Sequence, residues 1–90
     1  MRIRVSRKLD TSLQKIKKTD PKLFRRITKQ LALFESNPKH HSLRVHKLSG
    51  KIANLRSISI TKSIRMTYIH MDKDIAYFIQ IGTHDQVYKE

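Results

Sequence analysis

The sequence predicts an α+β fold: two N-terminal helices packed on one face of a small, mostly antiparallel sheet, in the order βααβββ. Three observations carry that expectation. Apolar residues recur at helical spacing between positions 9 and 34, they gather at strand spacing between 55 and 81, and Asn37-Pro38 separates the two regimes. With 90 residues, no internal repeat and no low-complexity tract, positions 1–90 read as one domain.

The elements follow in order. Met1, Ile3 and Val5 alternate with Arg2 and Arg4, the two-residue period of a half-buried strand. Asp10-Thr11-Ser12 offers capping oxygens, and Leu9, Leu13 and Ile16 repeat at helical spacing. Asp20-Pro21 starts a second helix, Asp as cap and Pro in the first turn. Leu23, Phe24, Ile27, Leu31 and Phe34 line one side of it, and Lys22, Arg25, Arg26 and Lys29 lie largely on the other. Past a polar loop, Leu55 to Ile60, Ile64 to His70 and Asp74 to Ile81 are rich in Ile and aromatics, as strands are. Ile64, Met66 and Tyr68 form the core stripe of the middle strand, and Ile75, Tyr77, Ile79 and Ile81 that of the next. Met71-Asp72-Lys73-Asp74 turns between them. The opposite face would carry Arg65, Thr67 and Arg56, which with the preceding loop should form a basic concavity.

Charge is the strongest compositional signal. Twenty Lys/Arg against seven Asp/Glu give +13 and a pI near 10.6, which calls for a polyanionic partner, nucleic acid first. Between Ser36 and Met71 stand seven Lys/Arg and four His with no acid, so this segment is expected to meet phosphate. Hydrophobic residues at 38% exclude a disordered tail. No apolar run is long enough to span a bilayer and no signal peptide opens the chain, so a cytoplasmic location without membrane partner is expected. The absence of cysteine removes disulfides, thiolate nucleophiles and thiolate metal ligands.

Metal-dependent nucleases need clustered carboxylates. Here Asp10, Asp20, Glu35, Asp72, Asp74, Asp85 and Glu90 are scattered, so no metal and no cofactor is expected. His40, His41 and His46 lack a nearby carboxylate and read as a solvated loop rather than a metal cluster. RNA supplies its own nucleophile, the ribose 2′-hydroxyl. A base to take its proton, an acid for the leaving 5′-oxygen and a fixed cation for the phosphorane can come from His, Lys and Arg alone.

His46-Lys47-Leu48-Ser49-Gly50, Ile64-Arg65-Met66-Thr67-Tyr68 and Gly82-Thr83-His84-Asp85-Gln86-Val87-Tyr88, in that order and spacing, resemble toxins of the bacterial RelE/ParE superfamily, nearest its YafQ- and RelE-like mRNA interferases. The resemblance spans nearly the whole chain. It implies a RelE-like fold and the toxin of a type II toxin–antitoxin pair. Its partners would be a cognate acidic antitoxin, mRNA and the 70S ribosome A site. Its activity would be metal-independent endoribonuclease cleavage leaving a 2′,3′-cyclic phosphate. By the same resemblance Arg65 contacts the scissile phosphate, His84 transfers protons, Tyr88 orients the RNA and His46 is a further candidate. Lys47, Lys51 and Arg56 are the candidate RNA-backbone contacts. YafQ-like members carry a histidine and an aspartate where this chain has Ser59 and Ser63, and a basic residue where it has Gln80. Two alternatives stay open: a ParE-like gyrase-inhibiting toxin, and a basic nucleic-acid-binding module without catalysis.

Overall fold

Arg2–Val5 forms the first strand, β1, and is followed by helices α1 (Arg7–Thr19) and α2 (Pro21–Ser36). A single 3-10 turn at His41–Leu43 leads into strands β2 (His46–Lys47), β3 (Leu55–Ser59), β4 (Ile64–Met71) and β5 (Ile75–Thr83), and a short helix, α3 (His84–Tyr88), closes the order. This is a computed structural model that describes residues 1–48, 50 and 54–88. The five strands make one sheet in the order β1-β5-β4-β3-β2, antiparallel except for the parallel β1–β5 pair. The α+β class and the helix-then-sheet order are as expected.

Both helices bury an apolar stripe on the same sheet face. Leu9 and Leu13 of α1 and Ile27 and Phe34 of α2 join Ile58, Met66, Tyr68, Ala76 and Phe78 in one cluster. Phe34, Tyr68 and Phe78 meet ring to ring with centroids 5.0–5.5 Å apart, a geometry that adds to simple area burial. Gln30 of α2 is also buried, and its Nε2 donates to the Ser59 carbonyl at 2.9 Å. The α2 start is as predicted: Asp20 caps it by accepting from Leu23 N, with Pro21 in the first turn.

Four local expectations are corrected. Helix α1 begins at Arg7, where Ser6 Oγ accepts from Leu9 N at 3.1 Å; Thr11 and Ser12 lie inside it and donate back to the carbonyls of Arg7 and Lys8. His46–Lys47 is a strand, pairing with β3, where a loop was expected. The buried side of β5 carries Ala76 and Phe78, while Ile75, Tyr77 and Ile79 are only half-buried. A bulge explains the change: Thr67 pairs with Gln80 but Tyr68 pairs with Phe78, leaving Ile79 as the extra residue and returning Ile81 to the Met66 side. Finally, Arg56 opposes Tyr68 and Lys47 opposes Arg56, so both belong to the helix side of the sheet rather than to the Arg65 side. The reason is pleat parity: Arg56 lies an even number of residues from the core residue Ile58.

Candidate functional site

Arg65 sits on the outer face of β4, the face away from α1 and α2. It opposes Ser59 on β3 and Gly82 on β5. Its guanidinium is held rather than free to sweep: Nε donates to Ser57 Oγ at 3.0 Å and Nη2 donates to the Arg44 carbonyl at 2.7 Å. Arg44 presents that carbonyl from a left-handed backbone (φ 45°, ψ 53°) at the end of the 3-10 turn. A non-glycine residue there is uncommon and signals a constraint imposed by its surroundings.

Beside Arg65 opens a cleft of about 450 Å³, lined by Arg26, Arg44, Lys62 and Arg65 with His41 and Ser59. None of its described lining residues is acidic. Arg26 reaches it from α2 and is itself fixed by donating from Nε to the Ile60 carbonyl at 2.9 Å. Fixed guanidinium groups over hydroxyl-bearing walls have the chemistry to receive an anion, because groups held in place need little reorganisation to do so. Arg26, Arg44 and Lys62 carry no motif, and proximity in the fold is what joins them to Arg65.

His46 opposes Ser57, the residue whose hydroxyl receives Arg65, so it too belongs to the outer face. His84 follows Thr83, which opposes Ile64, and therefore leaves the sheet beside the first residues of β4. Its side chain is 67% exposed and its Nδ1 lies 3.7 Å from Asp85 Oδ1. His84 does not line the cleft; it stands at the start of α3, next to the strand register that carries Arg65. The start of α3 is built by a reciprocal cap. Thr83 Oγ1 accepts from Gln86 N, and Gln86 Oε1 accepts from Thr83 N at 2.8 Å. Gln80 Nε2 donates to the Gln86 carbonyl, tying the helix back to β5. The Gly-Thr-His-Asp-Gln run is thus a device for holding His84 at a sheet end.

Helix α3 packs on β4 and β5 and buries Val87 outside the helix-side cluster. Thr67, expected to be open on the outer face, is accordingly 1% exposed. Tyr88 lies in α3, but its side chain is outside the described residues, as are Lys51 and Ser49. Ser63 is exposed in the loop before β4 and Gln80 exposed on β5. His40 serves the local fold. Its Nδ1 accepts from Ser42 N at 3.1 Å, capping the 3-10 turn, and its ring stacks on His41 at 4.5 Å.

Arg56 and Lys47 stand away from this cleft. Arg56 lies beside the phenol of Tyr68: burial pushes that phenol above its ordinary pKa, while the charge of the guanidinium and its hydrogen bond to the phenol pull the other way. Among the described residues no group of three or more His, Asp or Glu is placed to hold a metal ion, and no helix is long and apolar enough to cross a membrane.

No family model and no curated protein sequence matches this chain. Solved structures do. A YoeB/ParE toxin from Agrobacterium tumefaciens superposes with a TM-score of 0.76 at 19% identity, covering 93% of this chain and 99% of that one. YafQ from E. coli strain BL21(DE3) gives 0.75 at 19% identity, with 98% and 99% covered. A chain of the heterotetrameric YoeB-YefM toxin-antitoxin complex from Staphylococcus aureus gives 0.75 at 18%, with 93% and 97% covered. Two helices on one face of a five-stranded sheet, over nearly the full length of each chain, are the fold of the YoeB/ParE and YafQ toxins, and this protein has that fold.

Proposed function

We propose that this chain is the toxin of a type II toxin–antitoxin pair and acts as a metal-independent endoribonuclease on mRNA in the ribosomal A site. The observation that carries the reading is the acid-free cleft around Arg65, with its guanidinium pinned by Ser57 and Arg44, near the end of β5 after which His84 opens α3. The toxin folds seen with antitoxin partners support the coarser part of it.

In this mechanism the 2′-oxygen of one ribose attacks the adjacent phosphorus while His46 takes its proton. The phosphorane gains negative charge, which Arg65 stabilises with Arg44 and Lys62 close by. The bond to the 5′-oxygen breaks, His84 supplies the proton to that oxygen, and a 2′,3′-cyclic phosphate remains. Tyr88 orients the RNA. An antitoxin with acidic, amphipathic segments would neutralise the basic surface.

The test uses Arg65→Ala and His84→Gln, both folded by circular dichroism. Expression should no longer arrest growth or produce new mRNA ends, with rate losses of about 10² to 10³ for Arg65→Ala and about 10² to 10⁴ for His84→Gln. A gyrase supercoiling assay runs alongside. Full toxicity in both variants with supercoiling inhibited and no mRNA ends would replace the nuclease by a gyrase poison.

A further inference from the structure

Two nitrogens on one edge of the Arg65 guanidinium are held, Nε by Ser57 Oγ at 3.0 Å and Nη2 by the Arg44 carbonyl at 2.7 Å. A guanidinium is planar, so fixing two of its nitrogens fixes both its place and its plane. Ser57 is buried within β3, and the sheet sets where its hydroxyl lies. The Arg44 carbonyl belongs to no strand. Its direction depends on the 3-10 turn alone.

That turn is built to hold a direction. His40 Nδ1 accepts from Ser42 N at 3.1 Å and caps it, while Leu43 N and Arg44 N donate to the carbonyls of His40 and His41, each at 3.1 Å. Leu43, with no exposed surface, anchors the turn in the core cluster. Arg44 then turns left-handed, and the chain enters β2, where His46 pairs with Ser57. One junction therefore joins the turn that aims the carbonyl to the strand that lies against the hydroxyl. A left-handed residue at the end of a helical turn is usually glycine, or else asparagine. Here it is an arginine whose side chain also lines the Arg65 cleft.

We propose that Arg44 is a positioning residue for the cleavage step. Its left-handed carbonyl, aimed by the His40-capped turn, sets the plane of the Arg65 guanidinium toward the scissile phosphate. The inference rests on the nuclease reading of this cleft. A cation set in advance spends nothing on reorientation as charge develops on the phosphorane, so the hold belongs to the rate of the step rather than to RNA affinity.

The experiment compares Arg44→Gly with Arg44→Val. Both remove the side-chain charge, so a difference between them comes from the main chain. Glycine enters the left-handed region readily, whereas a β-branched residue there is an outlier. The Nε–H signal of Arg65, read by NMR without RNA and assigned by its loss in Arg65→Ala, should keep its wild-type position in Arg44→Gly and move in Arg44→Val. At saturating programmed ribosomes Arg44→Val should cut mRNA about tenfold or more slowly than Arg44→Gly, the scale of a small misplacement, with KM within about twofold of it. A second pair covers the case in which Arg44→Val does not fold. His40→Asn and His40→Ala both lose the ring stack on His41, but only asparagine keeps a capping acceptor. His40→Ala should therefore move the Arg65 signal and slow cutting, and His40→Asn should restore both. Folded Arg44→Val matching Arg44→Gly in signal or in rate, a deficit confined to KM, or His40→Asn no better than His40→Ala would each overturn the proposal. Wild-type protein that cuts no mRNA would sink the nuclease reading instead. The Arg65 signal would still separate Arg44→Gly from Arg44→Val if Arg44 holds the guanidinium, and would not if it does not.

Discussion

Gly82 has less room than any side chain would need. A Cβ built there would lie 2.7 Å from Gln86 Oε1 and 3.1 Å from Gln86 Cβ, so Gln86 would have to move. The requirement is close approach rather than backbone conformation. Because Gln86 Oε1 is the acceptor for Thr83 N, displacing it undoes half of the cap that fixes the start of α3. Gly82→Ala is therefore expected to cost about 1 kcal/mol, the scale of a lost capping bond, and to shift the His84 ring signals. In a Gln86→Ala background the same substitution should cost less, because the amide it collides with is gone. Urea denaturation of the four proteins measures this; equal costs in both backgrounds would sink the steric account. The residue scale also shows what the sequence could reveal. The outer-face position of Arg65 was legible because it alternates with Ile64 and Met66 on a strand. Arg44 was not, because nothing local marks a left-handed arginine whose backbone oxygen, rather than its side chain, holds Arg65.

The start of α1 is set by what must be buried. Leu9 is 2% exposed in the core, so it has to lie within the first helical turn, and Ser6, three residues earlier, becomes the cap. The cluster Asp10-Thr11-Ser12 mimicked a cap in sequence but lost to that packing demand. Ser6→Ala should lower stability by about 1 kcal/mol, whereas Asp10→Ala, which forfeits only a first-turn charge near the helix N-terminus, should cost about 0.3 to 1 kcal/mol. Thermal denaturation of both variants decides the matter; a larger loss in Asp10→Ala would relocate the cap. Strand β5 taught the opposite lesson. Its alternation Ile75, Tyr77, Ile79, Ile81 pointed to one face, yet Ala76 and Phe78 are the buried pair because the bulge at Ile79 switches the phase partway along. A bulge leaves no mark in a chain where apolar residues occupy both parities. Strand β2, at two residues, is too short to show any period. The helices, with long amphipathic stripes and an Asp-Pro start, were read correctly in outline for the converse reason.

At the scale of the molecule, the net charge of +13 includes two separate groups of cations, one around Arg65 and one around Arg56. The expected concavity combined Arg65 with Arg56, but pleat parity separates them, and the cations that gather around Arg65 come instead from α2, the 3-10 turn and the β3–β4 loop. An RNA backbone in that cleft would contact Lys62, which is exposed on the loop beside it. Each phosphate contact on a single strand releases counterions, contributing about 0.7 to the slope of log affinity against log salt. Lys62→Ala should therefore weaken binding of an uncleavable 2′-O-methylated oligonucleotide and flatten that slope by about 0.7. Lys15→Ala removes the same charge from an exposed position on α1 that does not line the cleft and should leave the slope nearly unchanged, since a charge that touches no phosphate is screened by salt. The comparison separates a phosphate track from a diffuse cationic field. If both substitutions flatten the slope equally, the molecule attracts RNA through its net charge alone and the Arg65 cleft loses its special standing as the strand's path.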